Sequence, residues 1–419
     1  MLSGRSVRCL RKIKRAQKLT TLGSCPKLNT RKFSRASLIL PIYIPAFLLA
    51  TGGGIVSPTL SIYVKSFELS YTLTTVVLAV GVLGNIPAGI LVERLGRKPS
   101  MLFGLVMIGL ATVGMGAATN FLQLIGAQLV GGIGNALWML ARHAYMTDVI
   151  PIANRGRAIA LFGGVNRMGT FVGQFFSIFL GVNLRLPFFI YAGIVMLNLF
   201  LCFFFIPKTH RTRSETTDKK IPYLKHLLQI SRQHARLLAT AGVGQVCVQT
   251  LRRGCHIIIP LYADEVVGLT TQQVRSVVMV SSAVDMSMFP IAGFMMDRFG
   301  RRYATVPGIC LFATGMVLMP FTGTFTALLL AAILMRLGNG IASGTMMTLG
   351  ADLAPHEGTG EFLGLWRLTG DFGGSAGPVI VGNLADLFGL SYSGFALGGI
   401  GYLAVGIFLW LVPETLQRE

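Results

Sequence analysis

The sequence predicts an all-α integral membrane protein of twelve transmembrane helices, arranged as two pseudo-symmetric halves of six. Three observations predict it: the composition, a series of apolar stretches of bilayer-crossing length, and one charged pattern written twice. Hydrophobic residues make up 53% of the 419 and charged residues 13%, about half the charged share of an ordinary soluble domain. Fifty-one glycines suit helices that must approach closely where lipid supplies no hydrophobic drive to associate.

A helix needs about 20 mostly apolar residues to cross a bilayer. Span 1 is expected at 38–64, after a basic tail, and holds Gly52, Gly53, Gly54, Ser57 and Pro58. Spans 2 to 6 follow at 72–92, 100–118, 121–147, 158–180 and 186–206. The polar segment 208–236 then interrupts the apolar series and reads as a linker. Spans 7 to 12 are expected at 237–263, 271–296, 304–320, 325–349, 362–387 and 391–411. The implied domains are a tail at 1–37, one half at 38–207, the linker, a second half at 237–412 and a short tail at 413–419.

The repeated pattern joins spans 2 and 3 and, 204 positions later, spans 8 and 9. The first copy contains Gly89, Glu93, Arg94, Gly96, Arg97 and Lys98; the second contains Gly293, Asp297, Arg298, Gly300, Arg301 and Arg302. The same offset aligns Asp148 with Asp352, Pro151 with Pro355, Gly169 with Gly373 and Gly173 with Gly377. A shared register over three spans implies parallel repeats about an axis along the membrane normal, a common plan of secondary transporters.

Charge placement sets orientation and excludes other classes. The net charge of +21 could suggest nucleic acid, but eleven of the 37 bases lie in the acid-free first 37 residues and most others fall in short turns. By the positive-inside rule, the tail, both repeated turns, the linker and Arg418 belong in the cytoplasm, leaving Lys65 and Arg185 opposite. Both termini are then cytoplasmic, with the cell membrane as the expected location. The basic tail also matches a mitochondrial transit peptide in composition, which keeps an organellar membrane open. The six cysteines lack metal-ligand spacing and read as small buried hydrophobes. No nucleophile–base cluster and no Gly-Lys-Ser phosphate loop is present, so no enzyme, cofactor, metal or ATP drive is expected.

With these residues in view, the chain from Leu38 to Leu411 resembles a major facilitator superfamily transporter, nearest to the drug/proton antiporter branch. The repeated turn resembles that family's loop between spans 2 and 3, and its echo between spans 8 and 9 is unusually complete. The resemblance implies that Glu93 and Asp297 form a cytoplasmic latch, accepting from a neighbouring helix end and the adjacent Arg. Gly89 and Gly293 are expected at close helix approaches, and Gly96 and Gly300 at sharp turns. Two family patterns are altered. Span 4 has Gln128 where the family's Arg stands, while span 10 keeps Arg336 and Gly340. The span 5 antiporter pattern keeps Gly169 and Gly173 but has Gln174 for proline; the proline form appears in span 11 as Gly373, Gly377 and Pro378.

Ionisable groups at bilayer depth are costly unless paired or wetted, so each is a functional candidate. Arg167, Arg252, Arg253, Asp285, Arg336 and Asp371 fall near the midplane, with Arg142 nearer the cytoplasm. Arg367 is one turn before Asp371, where an i,i+4 pair could form. Arg167 is expected to pair with Asp285 across the two halves. Asp285 and Asp371 are the midplane acids able to carry a proton; His143 and His256 could also titrate.

The function expected is alternating-access secondary transport, as proton-coupled efflux of small amphipathic organic compounds by a monomer in the bilayer. An organic anion is the alternative solute, decided by whether Arg252, Arg253 and Arg336 face the cavity or the packing. A non-transporting receptor or scaffold is the reading from another class.

Overall fold

The computed structural model describes residues 39–84, 91–92, 95–150, 152–206, 233, 235–355 and 359–415. The expected tail at 1–37, nearly all of the 208–236 linker, and Gly89, Glu93 and Arg94 lie outside the described residues. The described residues from 40 onward form one compact unit. Within it the described helices run as twelve rods. Seven are both long and apolar enough to cross a membrane by length and composition: Arg97–Ala117, Phe121–Met146, Leu186–Phe205, Thr271–Arg298, Arg301–Phe321, Phe325–Asp352 and Leu390–Trp410. Three others, Ile152–Ser177 (span 5), Val243–Glu265 (span 7) and Thr359–Phe388 (span 11), hold charged residues mid-length.

The two halves start their helices in the same way. Spans 2, 4, 8 and 10 begin on one face, and each start is closed by a side-chain oxygen. Ser70 accepts from the Leu73 amide, Asn120 from Gln123, Thr270 from Gln273 and Thr324 from Ala327. Each cap satisfies one of the amides a helix start leaves unbonded. Spans 3 and 9 begin on the other face, at Gly96 (φ +87°) and Gly300 (φ +116°), values that a side chain would strain. Below, the face of these repeated turns is the turn face, and the other the capped face.

Three rods are broken where the sequence implied continuity. Span 1 runs Ile44–Val56, turns, and resumes as Leu60–Lys65. The break falls at Ser57, Pro58 and Thr59, because proline brings no amide to the ladder. The three glycines before it remain helical, and two serve packing: a Cβ at Gly52 would strike the Tyr191 ring, and one at Gly54 the Thr170 carbonyl, whereas Gly53 lines the cavity described below. Span 8 breaks at Met288, ahead of Pro290. Span 10 is Phe325–Ile341 and then Thr345–Asp352, with Gly344 left-handed at φ +80°. That last break frees the Ala342 carbonyl to accept from a neighbouring helix.

Glycine fixes the packing of spans 1 on 5 and 7 on 11, by the same device in both halves. A Cβ at Gly173 would lie 2.0 Å from the Thr51 carbonyl oxygen, and one at Gly377 2.5 Å from that of Thr250. Gly169 and Gly373 similarly meet Phe47 and Val246. Gly293 corrects an expectation: nothing lies within 4 Å of a Cβ built there, so it is not at a close approach. Gly173→Ala is therefore expected to lower the thermal midpoint of the purified protein by several degrees. Gly293→Ala is expected to leave it unchanged or raise it slightly, through helix propensity alone. Equal midpoints for the two variants would contradict the packing described.

Candidate functional site

The repeated turns bind their own halves. Arg97 Nε lies 3.0 Å from Asp148 Oδ2, and Arg301 Nε lies 2.8 Å from Asp352 Oδ2, the same bond in each repeat. Lys98 donates to the Phe203 and Ile206 carbonyls and Arg302 to that of Leu409, so each turn also holds the end of its sixth helix. In the second half Glu414 accepts from the Arg301 and Arg302 amides at 2.9 and 3.0 Å, capping span 9. Arg298 lies over Phe294 and Phe299. Asp297 is exposed, and no hydrogen bond or ion pair reaches it among the described residues.

At the midplane a single network crosses between the halves. Arg167 on span 5 donates to Asp285 on span 8 at 2.9 Å, and also to the Ser343 hydroxyl at the break of span 10. Asn339 of span 10 donates to the other Asp285 oxygen at 2.5 Å. Arg252 of span 7 takes the carbonyl freed at Ala342, 2.9 Å away. Arg336 lies 3.3 Å from His256 Nδ1. Because a guanidinium can only donate, that nitrogen is the acceptor, and the ring proton sits on Nε2.

Of the three arginines set to decide the solute, Arg252 and Arg336 bond within the packing. Arg253 instead lines a cavity of about 490 Å³ with Asp371. The other walls come from the first half: Val56, Ile108, Met115, Phe188 and Tyr191 are its apolar and aromatic side. Ser57, Thr112, Gln128 and Asn135 give it uncharged polar groups. Arg367 Nη2 lies 3.8 Å from the Sδ of Met139, a span 4 residue that also lines the cavity. Arg142 is 5% exposed, with its guanidinium 4.1 Å from the centre of the Phe162 ring. His143 packs edge-on against that same ring.

The halves are also bolted together on the capped face. Both oxygens of Asp386, near the end of span 11, accept at 2.8 Å from the Tyr71 and Thr72 amides that open span 2. The Tyr71 hydroxyl donates to Glu265 at the end of span 7. Arg275, fully buried at the start of span 8, donates to the Ser177 and Gly181 carbonyls at the end of span 5. Toward the turn face, the Arg367–Met139 contact also joins the halves.

Several of these residues escaped sequence reasoning. Asp148 and Asp352 were visible only as matched positions; an acid kept at the same offset from both turns was the signal that they are the arginines' partners. Gln128 was singled out only as the residue standing where the family has Arg, and Asn135 drew no notice, although their seven-residue spacing puts them on one face of span 4. Asn339 and Ser343 had no signal beyond their closeness to Arg336.

A sequence model described as Major Facilitator Superfamily matches residues 42–284 and again 241–419. An uncharacterised MFS-type transporter of Methanocaldococcus jannaschii is 22% identical over 90% of this chain and 98% of its own length. The multidrug resistance protein MdtH of Aeromonas salmonicida is 25% identical over 73% of this chain and 75% of its own. Among solved structures, a bacterial homologue of the human lysosomal transporter Spinster, inward-facing and unoccupied, superposes with a TM-score of 0.74 at 15% identity. That match covers 92% of this chain and 97% of the homologue. A D-xylose–proton symporter superposes at 0.67 with 18% identity, over 91% of this chain and 98% of its own.

Proposed function

Because the chain belongs to the major facilitator superfamily, we propose that it works by alternating access, as a proton-coupled exporter of small amphipathic organic compounds. The observation that carries this reading is the cavity near the midplane, apolar and aromatic along the first half and charged along the second. An amphipathic solute fits such a wall pair, since apolar surface leaves water on one side and a polar group is held on the other. The multidrug resistance relatives support export as the direction.

The turn face is assigned to the cytoplasm by its bases, with both termini there and the halves 38–207 and 237–412 as the moving bodies. The bolts on the capped face then describe a state closed to the outside. In that state the rim carboxylate Asp297 is disengaged, and each turn arginine is held by the aspartate of its own half. Either Asp285 or Asp371 carries the proton, both being carboxylates at depth and close to the site. Asp285 would release its hold on Arg167 when protonated, which couples proton binding to the seam between spans 5 and 8.

Reconstitution tests the proposal. Proteoliposomes carrying an amphipathic fluorescent dye and an imposed pH gradient are expected to show gradient-driven dye movement. In Asp285→Asn or Asp371→Asn the pH dependence is expected to vanish while dye binding persists. Dye movement that ignores the gradient in the unaltered protein would contradict proton coupling, and absent movement of any solute would favour a receptor.

A further inference from the structure

Span 1 faces the cavity with one stripe of residues. Gly53, Val56, Ser57 and Leu60 line it, at i, i+3, i+4 and i+7. Three of the four present a side chain, and Gly53 leaves bare backbone at the end of the stripe nearer the turn face. A glycine inside a helix weakens it, being the poorest helix former after proline, so its presence calls for a local reason. Three reasons are physically available: a backbone angle that a side chain would strain, a neighbour too close for a Cβ, or a space that has to stay open.

The first two fail at Gly53. It sits inside the helix Ile44–Val56, and its φ lies on the ordinary negative side. A Cβ built on it meets nothing within 4 Å, whereas Gly52 and Gly54 are pressed by the Tyr191 ring and the Thr170 carbonyl. Packing explains the other glycines that line the cavity. A Cβ at Gly132 would lie 2.0 Å from the Gly81 carbonyl oxygen, one at Gly81 3.3 Å from that of Gln128, and one at Gly131 3.1 Å from the Ala111 Cβ. Gly126, Gly193 and Gly399 are as free of neighbours as Gly53, but they are exposed and do not line the cavity. Among the described residues, Gly53 alone combines open space with a place in the cavity wall.

Building on the transport reading above, we propose that Gly53 is a specificity-determining residue, which sets the bulk of the largest solute the cavity admits. Its bare backbone adjoins the Tyr191 ring, which is seated on Gly52 and lines the same cavity. The widest apolar part of the solute rests in the corner that these two leave open. A side chain at 53 would enter the cavity of about 490 Å³ without disturbing the packing of span 1, and would exclude solutes by size, whatever the charge of their polar group. A small solute that leaves the corner empty would bind as before.

The test measures equilibrium binding to the full-length protein in nanodiscs, using two fluorescent dyes of the same charge sign and different bulk, rhodamine 6G and the smaller proflavine. The readout is the ratio of their dissociation constants, because a loss of folded protein lowers the binding of both alike. Gly53→Leu is expected to weaken rhodamine 6G by about tenfold or more while proflavine stays within about twofold, the scale that added methylene groups command in an apolar pocket. Gly53→Ala is expected to shift the ratio in the same direction by a smaller factor, and to raise the thermal midpoint through helix propensity. Gly399→Leu, an exposed change of the same size, is expected to match the unaltered protein. An unchanged ratio in Gly53→Leu would overturn the proposal. Equal weakening of both dyes in Gly53→Ala would overturn it too, since glycine would then serve packing in another state of the cycle. Should Gly53→Leu fail to fold, the presence or absence of the shift in Gly53→Ala decides. Proflavine bound without rhodamine 6G by the unaltered protein would show the corner to be unused and overturn the proposal as well. Binding of neither dye would instead contradict the reading of the cavity as a site for amphipathic organic compounds, and the size limit with it.

Discussion

Reversing either charge of the Arg167–Asp285 pair is expected to reduce transport to background, and reversing both to restore a large part of it. Arg167→Asp would set two carboxylates against each other across the seam, and Asp285→Arg would bring two guanidiniums together. Breaking one partner of a fully buried pair costs about 3–5 kcal/mol. Here the cost is smaller, since the Arg167 and Asp285 side chains keep 31% and 17% exposure, but it falls on the contact that has to reform in every cycle. The surroundings tolerate the exchange. Ser343 now accepts from Arg167, and its hydroxyl could donate to an aspartate there instead. Asn339 has an unpartnered Oδ1, so its amide could turn and offer that oxygen to an arginine at 285. A double variant that reaches the membrane, folds, and still carries no solute would argue against the pair as the moving contact.

Asp386→Ala is expected to open the capped face. The substitution removes two charge-assisted bonds to the amides that open span 2, whose own cap, Ser70, stays in place. Loss of a side chain that satisfies helix-start amides costs about 1–2 kcal/mol, which is about a five- to thirtyfold shift between two states. The place is sensitive because span 11 lies very close to span 2: a Cβ at Gly382 would come within 2.0 Å of Thr75 Oγ1. Thr75 is fully buried by that approach. A cysteine placed at 75 should resist a membrane-impermeant thiol reagent added from the capped side, and react severalfold faster when Asp386→Ala is added. Unchanged labelling would mean that the Tyr71–Glu265 and Arg275 bonds hold the face shut unaided.

The fold was legible in this sequence because a bilayer writes itself into composition. Apolar stretches of bilayer length and a duplicated turn gave twelve helices in two halves, and the structure has the helices within a few residues of those ranges. What the sequence concealed was local. Pro58 and Pro290 stand at the breaks of spans 1 and 8, which were expected to be continuous, and the break of span 10 depends on Gly344 adopting a left-handed conformation, which one glycine among many does not announce. That break matters for the site, since it presents the Ala342 carbonyl to Arg252. The Arg167–Asp285 contact was legible because charges at depth are few and opposite ones seek each other. The surroundings of Arg336 and Arg252 were not, because an arginine satisfied by a carbonyl or a histidine leaves no matching charge in the sequence. The close approach expected at Gly293 failed for a related reason: a repeated glycine marks a shared turn, but only its neighbours in space decide whether anything is near.

Alternating access makes one demand that no static scaffold meets: opposite faces must move in opposite senses. Spin labels at Asn183 and Gln272 would report on the capped face, and a second pair at Leu95 and Tyr303 on the turn face. All four residues are exposed or at the ends of described helices, and the native cysteines would be replaced beforehand. Pulsed dipolar distances in nanodiscs, taken with and without the amphipathic dye at two pH values, are the most direct measurement. The capped-face distance is expected to lengthen as the turn-face distance shortens, with both populations present and their ratio shifted by ligand or proton. Distances that stay fixed under every condition, or that lengthen together on both faces, would contradict alternating access.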